Sequence, residues 1–244
     1  LNSLPRVLIG VCTYNEATNI ETLVQRLRTA LPSADILVVD DDSPDGTAER
    51  VRKMGKEDDQ INVVVRKNQR GLGGAILAAA QVSIDQGYDF FINLDGDLSH
   101  DPAQLPSLLA VATAGQAGDA AIDVVVGSRY VDGGKIVGWP LRRRVMSWIV
   151  NRFATRVLRL PLRDCSGSMR SYRVSALAAL DLRTLRCQGY ALLEELLVRL
   201  HRRGSQMKEV PITFTERQKG QSKLTLREAI RSMAFMVRLA FARI

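Results

Sequence analysis

Through the first half of the chain, short apolar runs alternate with segments whose apolar residues recur at helical spacing. Residues 7–11, 36–39, 61–65, 90–94 and 122–126 are mainly apolar stretches of strand length. Between them, Thr18 with Glu21 forms a capping-box pattern opening a helix that Pro32 closes. A turn-rich D-D-D-S-P-D-G-T precedes a helix near residues 48–56, and another helix runs from about Gly74 to Gly87. Asp101-Pro102 reads as an N-cap followed by proline at the first helical position. The runs are continuous rather than alternating, so helices are expected on both faces of their sheet. Strand–helix alternation predicts parallel strands with right-handed crossovers, and ligands at the strands' carboxyl ends.

The second half is expected to be more helical. It is rich in arginine around residues 142–144, with one strand over residues 207–214. Residues 112–121, rich in Ala, Gly and Asp, read as a surface loop. A second Thr/Glu capping pattern, Thr225 with Glu228, opens a segment in which Phe235, Met236, Leu239, Phe241 and Ile244 interleave with Arg231, Arg238 and Arg243. That segment suits an amphipathic helix in a lipid headgroup region; packing on the α/β domain or on a partner's transmembrane helix is the alternative. The expected organisation is one α/β domain over residues 1–223 and this helical segment over residues 224–244.

Composition narrows the classes. Of 244 residues, 46% are hydrophobic and 25% charged, enough for a sizeable core. The net charge of +8 suits nucleic acid, anionic lipid or phosphorylated substrates. Three scattered cysteines without a C-x-x-C point to a reduced compartment, and two histidines make a His/Cys zinc site unexpected. The opening residues lack the pattern of a secretory signal, and no segment reaches the roughly 18 apolar residues needed to span a bilayer.

The informative chemistry is acidic. In F-F-I-N-L-D-G-D-L-S-H a buried strand runs into Asp95-Gly96-Asp97, placing two carboxylates together. Like charges beside a core repel unless a cation joins them, and a hard divalent ion such as Mg²⁺ or Mn²⁺ takes such oxygens while sharing phosphate oxygens. An isolated D-x-D is more often a plain acidic turn. A second acidic cluster, Asp40-Asp41-Asp42, ends another strand, and parallel topology would bring both to one sheet edge. The R-G-L-G-G-A stretch fails the dinucleotide fingerprint at Ile76 and is read as a tight turn with close helix packing, a ligand role for residues 71–74 being the alternative; no P-loop is present.

These motifs, with C-T-Y-N-E, G-S-R-Y, the W-x-x-x-R-x-x-x-S-x-x-x-N series over residues 139–151, D-C-S-G-S-M-R and R-Q-K-G-Q-S-K, occur in an order that resembles family 2 glycosyltransferases of the GT-A fold. Within them the chain is similar to dolichyl-phosphate mannosyltransferases, the polyprenol monophosphomannose synthases, from about Arg6 to Lys223. The resemblance implies a Rossmann-like, mostly parallel sheet and a peripheral protein on the cytoplasmic face of a membrane. It assigns Tyr14, Glu16, Val38 and Asp40 to the nucleotide of GDP-mannose. Asp95, Gly96 and Asp97 fall on the metal and diphosphate motif, with Ser99 near a further metal position. Arg129 falls on a donor- and phosphate-binding position; Arg217 and Lys223 on basic residues that close over the donor; Arg143 and Ser147, with Arg129, on the acceptor phosphate. Cys12 stands where the family usually has proline, and Gly96 replaces a common alanine.

The implied reaction moves mannose to a polyprenyl or dolichyl monophosphate with inversion. The acceptor phosphate, with a second pKa of about 6, is already anionic near neutral pH and needs no strong base. Asp97, Arg217 and Lys223 are then the catalytic candidates, acting through charge on the leaving diphosphate. The basic residues 217–223 around Gly220 suggest a loop that orders over the diphosphate. Glu195 is expected to pair with Arg199 on a helix surface, Glu194 stays open, and no neighbour in the sequence activates Cys12. Two alternatives remain: a UDP-glucose or other UDP-sugar donor, and a basic nucleic-acid-binding module, which lacks a reading motif. Small membrane-anchoring subunits are a further implied partner.

Overall fold

The computed structural model describes residues 4–114, 121–185, 189, 191–217 and 226–242, the side chains of 226–232 excepted. The five expected strands form as β1 (Val7–Thr13), β2 (Asp35–Asp40), β3 (Ile61–Val65), β4 (Phe90–Asp95) and β5 (Val124–Ser128). Between them lie α1 (Ile20–Ala30), α2 (Thr47–Gly55), α3 (Leu72–Asp85) and α4 (Leu105–Ala114). With β7 (Arg170–Arg173) and β8 (Met207–Pro211) the strands make one sheet in the order β3-β2-β1-β4-β7-β5-β8. All neighbours are parallel except β7, which runs antiparallel to both β4 and β5.

Alternation along β1 divides the core. Val7, Ile9 and Val11 pack with α1, α2 and α4, while Leu8 and Cys12 pack with α3 and the C-terminal helices. Each fully buried Phe90, Phe91, Ile92 or Leu94 contributes roughly 1.5–3 kcal/mol of burial. The edge strands β3 and β8 mix more buried with more exposed positions.

Several expectations are corrected. The capping box at Thr18 and Glu21 is not formed: Asn19 is the N-cap residue and no side chain caps α1. Its amide instead donates to Glu16 Oε2 at 2.8 Å. The strand over residues 207–214 breaks at Pro211. Its second part, β9 (Thr213–Thr215), leaves the main sheet and pairs in parallel with β6 (Lys135–Val137). Strand β7 was not anticipated, because R-S-Y-R has no apolar run. Asp101 does cap: its carboxylate accepts from Ala103 N at 2.9 Å, with Pro102 next, ahead of α4.

The second half also supplies α5 (Leu141–Val157), α6 (Val174–Ala178), α7 (Leu192–Arg202) and α8 (Leu226–Phe241). Helix α8 buries Met236 and Leu239 in the core and leaves Met233, Val237 and Phe241 exposed. Arg202 of α7 donates to the carbonyls of Leu239, Ala240 and Ala242, satisfying the end of α8. One face of α8 thus packs on the α/β domain. Arg231, Arg243, Ile244, Thr225 and Glu228 lie outside what is described of side chains.

Candidate active site

The carboxyl ends of β1, β2 and β4 open onto one cavity of about 300 Å³, lined among others by Tyr14, Glu16, Asp41, Asp95, Asp97 and Arg217. Its floor is stitched by the D-D-S-P-D-G-T segment after β2. Ser43 Oγ accepts from Asn15 N, Thr47 Oγ1 from Glu16 N and Asp45 from Ala17 N, at 2.9–3.0 Å. Asn15, at φ 58°, needs this external support to hold its left-handed backbone. The turn residues thus hold the C-T-Y-N-E loop and keep Tyr14 and Glu16 on the cavity wall.

Asp95 is the last residue of β4, and Asp97 follows in a turn rather than on an extended strand. The two carboxylates meet because the chain turns at Gly96, with Leu98 at φ 61°. A Cβ on Gly96 would lie 2.8 Å from Thr13 Cγ2. Glycine therefore lets the motif close against β1 as well as line the cavity. Asp95 accepts from Ser168 Oγ at 2.7 Å. Asp97 accepts from Ser99 N at 3.0 Å and pairs with Arg217 at 3.0 Å. Burial, then repulsion from Asp97, raises the Asp95 carboxyl to about 6.

Those observations fit a hard cation. The two carboxylates still repel beside Arg217, and the buried Ser99 Oγ has no hydrogen-bond partner among the described residues. No group of three or more His, Cys, Asp or Glu is arranged to hold a metal among the described residues. A cation on Asp95 and Asp97 would draw its remaining oxygens from Ser99, water or a bound phosphate.

On the far wall, Arg70 lies 4.7 Å over the Tyr14 ring, and Asp41 accepts from Arg66 Nη1 at 2.8 Å and Gly71 N at 2.7 Å. The glycine-rich turn is thereby fixed to the end of β2, and a Cβ on Gly74 would collide with the Arg66 guanidinium. The sequence placed the Asp40-Asp41-Asp42 cluster at this edge without singling out Asp41, and pointed to neither Arg66 nor Arg70. The arginine flanking R-G-L-G-G was the available signal. Val38 and Asp40, expected in the pocket, do not line it. Val38 is wholly in the core, and Asp40 turns away to accept from Thr13 Oγ1 and from the Ser43 amide and hydroxyl.

Arg129 also sits apart from this cavity. Its Nε and Nη2 donate to the two oxygens of Asp164 at 2.7 and 2.8 Å, with Nη2 also reaching Ser166. Burial alone would favour the neutral forms, yet the pairing holds Arg129 above and Asp164 below its ordinary value. Trp139, Tyr130 and Phe214 surround the guanidinium at 5.4–5.9 Å. Arg143 stacks 4.1 Å over Trp139 and pairs with Glu216 at 2.6 Å, next to Arg217. Ser147, one turn on, accepts from the Tyr130 hydroxyl at 2.7 Å.

Glu195 pairs with Arg199 as its spacing implied, at 2.8 Å, but the carboxylate is buried rather than on the surface. Glu194 is buried, and desolvation raises its carboxyl to about 7 against the opposing pull of Arg170. Burial likewise keeps Cys12 protonated and inert as a nucleophile. Lys223 lies outside the described residues.

The sequence matches the family described as Glycosyl transferase family 2 over residues 8–181. It is 42% identical over 221 residues to an undecaprenyl-phosphate mannosyltransferase of Micrococcus luteus, covering 90% of this chain and 88% of that one. It is 38% identical to the polyprenol monophosphomannose synthase of Mycolicibacterium smegmatis, covering 94% and 86%. A dolichol-phosphate mannosyltransferase of Pyrococcus furiosus is 32% identical, and the match spans 59% of that longer protein. In fold the chain is similar to glucosyl-3-phosphoglycerate synthase of Mycobacterium tuberculosis, solved with Mn²⁺, uridine-diphosphate-glucose and phosphoglyceric acid. That likeness has a TM-score of 0.69 at 15% identity, over 98% of this chain and 81% of the other. No helix among the described residues is long and apolar enough to cross a membrane. Family match and relatedness along nearly the whole chain agree with the carboxylate edge just described: the protein is a glycosyltransferase belonging to family 2.

Proposed function

We propose that this enzyme transfers mannose from GDP-mannose to the phosphate of a polyprenyl monophosphate, with inversion, at the face of a membrane. The observation that carries the reading is Asp95 and Asp97, the latter paired with Arg217, lining a cavity that Tyr14 and Arg70 also line. The names of its 42% and 38% identical relatives give the acceptor class. In this reading the Tyr14–Arg70 stack supplies a flat, cationic wall for the nucleobase.

Asp95 and Asp97 would hold Mg²⁺ or Mn²⁺, which when bound supplies charge neutralisation to the departing diphosphate. Arg217, now on Asp97, is the side chain placed to follow the negative charge as it grows on that leaving group. Lys223 keeps the same assignment from its motif. Arg143 and Ser147 receive the acceptor phosphate, and Glu216 holds Arg143 one residue from Arg217. Arg129 serves them as a support beneath Tyr130 and Trp139. One displacement suffices, because the acceptor's second ionisation near pH 6 leaves it nucleophilic without a base.

A UDP-sugar donor is the second reading, since the same diphosphate edge accepts either nucleotide. The test runs GDP-mannose beside UDP-glucose with a short polyprenyl phosphate, with and without chelator. Transfer from GDP-mannose alone, abolished by chelation, is expected. Preferred transfer from UDP-glucose would replace the donor, and transfer undiminished by chelation would remove the cation from the mechanism.

A further inference from the structure

Helix α5 makes little use of the protein it belongs to. It buries only Asn151, Ala154 and Thr155, near its C-terminal end. Along the rest, Leu141 is 73% exposed, Met146 59%, Trp148 53% and Ile149 47%, with Val145 and Phe153 also exposed. Such side chains are seldom left together in water on a folded surface without a partner. Residues 141–163 also contain seven arginines and no acidic residue. Helix α8 packs against α5 and exposes Met233, Val237 and Phe241, extending the apolar surface.

Beside this face is a second cavity of about 320 Å³, lined by Tyr130, Trp148, Arg152 and Arg163. Trp148 and Arg152 are one turn apart on α5, on the same side of the helix. The Arg163 guanidinium lies 3.8 Å from the fully exposed Asp132, too weak a pairing to neutralise the notch, and Glu209 accepts from the Arg163 backbone amide. Two guanidinium groups beside two aromatic rings, on a helix that leaves its apolar residues in solvent, match a phosphate carried by an apolar body.

We propose that the Tyr130/Trp148/Arg152/Arg163 notch seats the phosphate headgroup of an anionic phospholipid, so that α5 lies in the bilayer interface. Charge decides the partner class: a zwitterionic surface gives an acid-free, arginine-rich helix no net attraction, whereas an anionic one does. Trp148 sits where an amphipathic ring prefers the headgroup level, and the arginine stems lie along apolar surface while their heads reach phosphate. The notch is distinct from the Asp95/Asp97 cavity and shares no lining residue with it. A lipid-borne acceptor, as proposed above, gives this contact its purpose.

The experiment measures sedimentation of the full chain with vesicles of phosphatidylcholine, with or without phosphatidylglycerol, in the absence of donor and polyprenyl phosphate. Wild type is expected on the anionic vesicles only. An Arg152→Gln/Arg163→Gln variant should bind about 30-fold more weakly, at roughly fivefold per arginine, and Arg152→Lys/Arg163→Lys should restore most of the binding. Trp148→Ala should lose about tenfold with an unchanged melting temperature, since the side chain is largely exposed. Equal binding of the Gln variant and wild type, or equal binding to both vesicles, overturns the proposal. Titration with soluble glycerol phosphate separates the sources: affinity there equal to that for vesicles makes the notch a free-anion site and also overturns it. So does a stable dimer, seen by light scattering, that Trp148→Ala dissociates. Because the vesicles carry no substrate, failure of mannosyl transfer leaves these outcomes intact.

Discussion

Two Arg–Asp pairs, one at the sheet's donor edge and one on the flank beneath α5, use the same chemistry for opposite ends. Arg217 and Asp97 meet at 3.0 Å, with the arginine side chain 28% exposed. Arg129 and Asp164 meet through two contacts, with the carboxylate fully buried and hydrogen-bonded further by the amides of Arg129, Ser166 and Gly167. Water can reach the arginine of the first pair but neither half of the second. Burial therefore makes Arg129–Asp164 a pillar, while Arg217 can exchange Asp97 for another anion.

The largest effect should follow from removing the charge at the donor edge. Asp97→Asn is expected to lower transfer about a thousandfold while leaving the metal-free melting temperature unchanged or higher, because Asp95 loses its repelling neighbour. Kinetics with matched thermal melts check this. A variant that melts much lower would show the edge to be structural after all and dissolve the contrast.

On the flank the order reverses. Asp164→Asn leaves Arg129 buried beside a neutral amide, which should cost about 3–5 kcal/mol, or roughly 10 °C in melting temperature for a chain of this size. Mn²⁺ binding at the other edge should survive in whatever fraction folds. Denaturant unfolding and metal titration read the two effects separately; stability within 1 °C of wild type would break the assignment of Arg129 as a support.

The smallest and sharpest difference lies in pH. Asp95 has a raised value, about 6, so its contribution to metal-free stability is full below the ordinary range near 4 and is lost as pH rises through 6. A cation reverses that loss. The Mn²⁺-induced rise in melting temperature should be small at pH 5, grow through pH 6 and level off above pH 7. Asp164 has a lowered value, so its stabilisation is already present above about 4 and lost only in more acid solution. Asp97→Asn should therefore flatten the Mn²⁺ profile, while the flank pair contributes no slope between pH 5 and 7.5. An Mn²⁺ effect constant over that range would separate Asp95 from the cation.

The donor edge was legible for a local reason. Strand runs, turn residues and the D-G-D spacing are neighbours in sequence, and parallel topology has few ways to arrange them. The pairing of Cys12 with Asp95 across β1 and β4 follows directly. The flank was not legible, because its partners are distant and its strand carries no pattern. Arg170–Arg173 is inserted between β4 and β5 as R-S-Y-R, and Arg170 is wholly buried by donating to the carbonyls of Cys165, Gly167 and Leu193. No periodicity announces a buried arginine.

The sequence by itself determined the alternating α/β architecture, the acidic strand ends and the family, since each rests on contiguous residues and ordered motifs. Tertiary structure alone decided that Asp41 rather than Asp40 faces the cavity, that Arg129 supports rather than lines it, and that α5 is left half-uncovered. Each of those depends on which long-range partner reaches a charged group first. That competition is settled by burial and geometry, which a linear pattern does not carry.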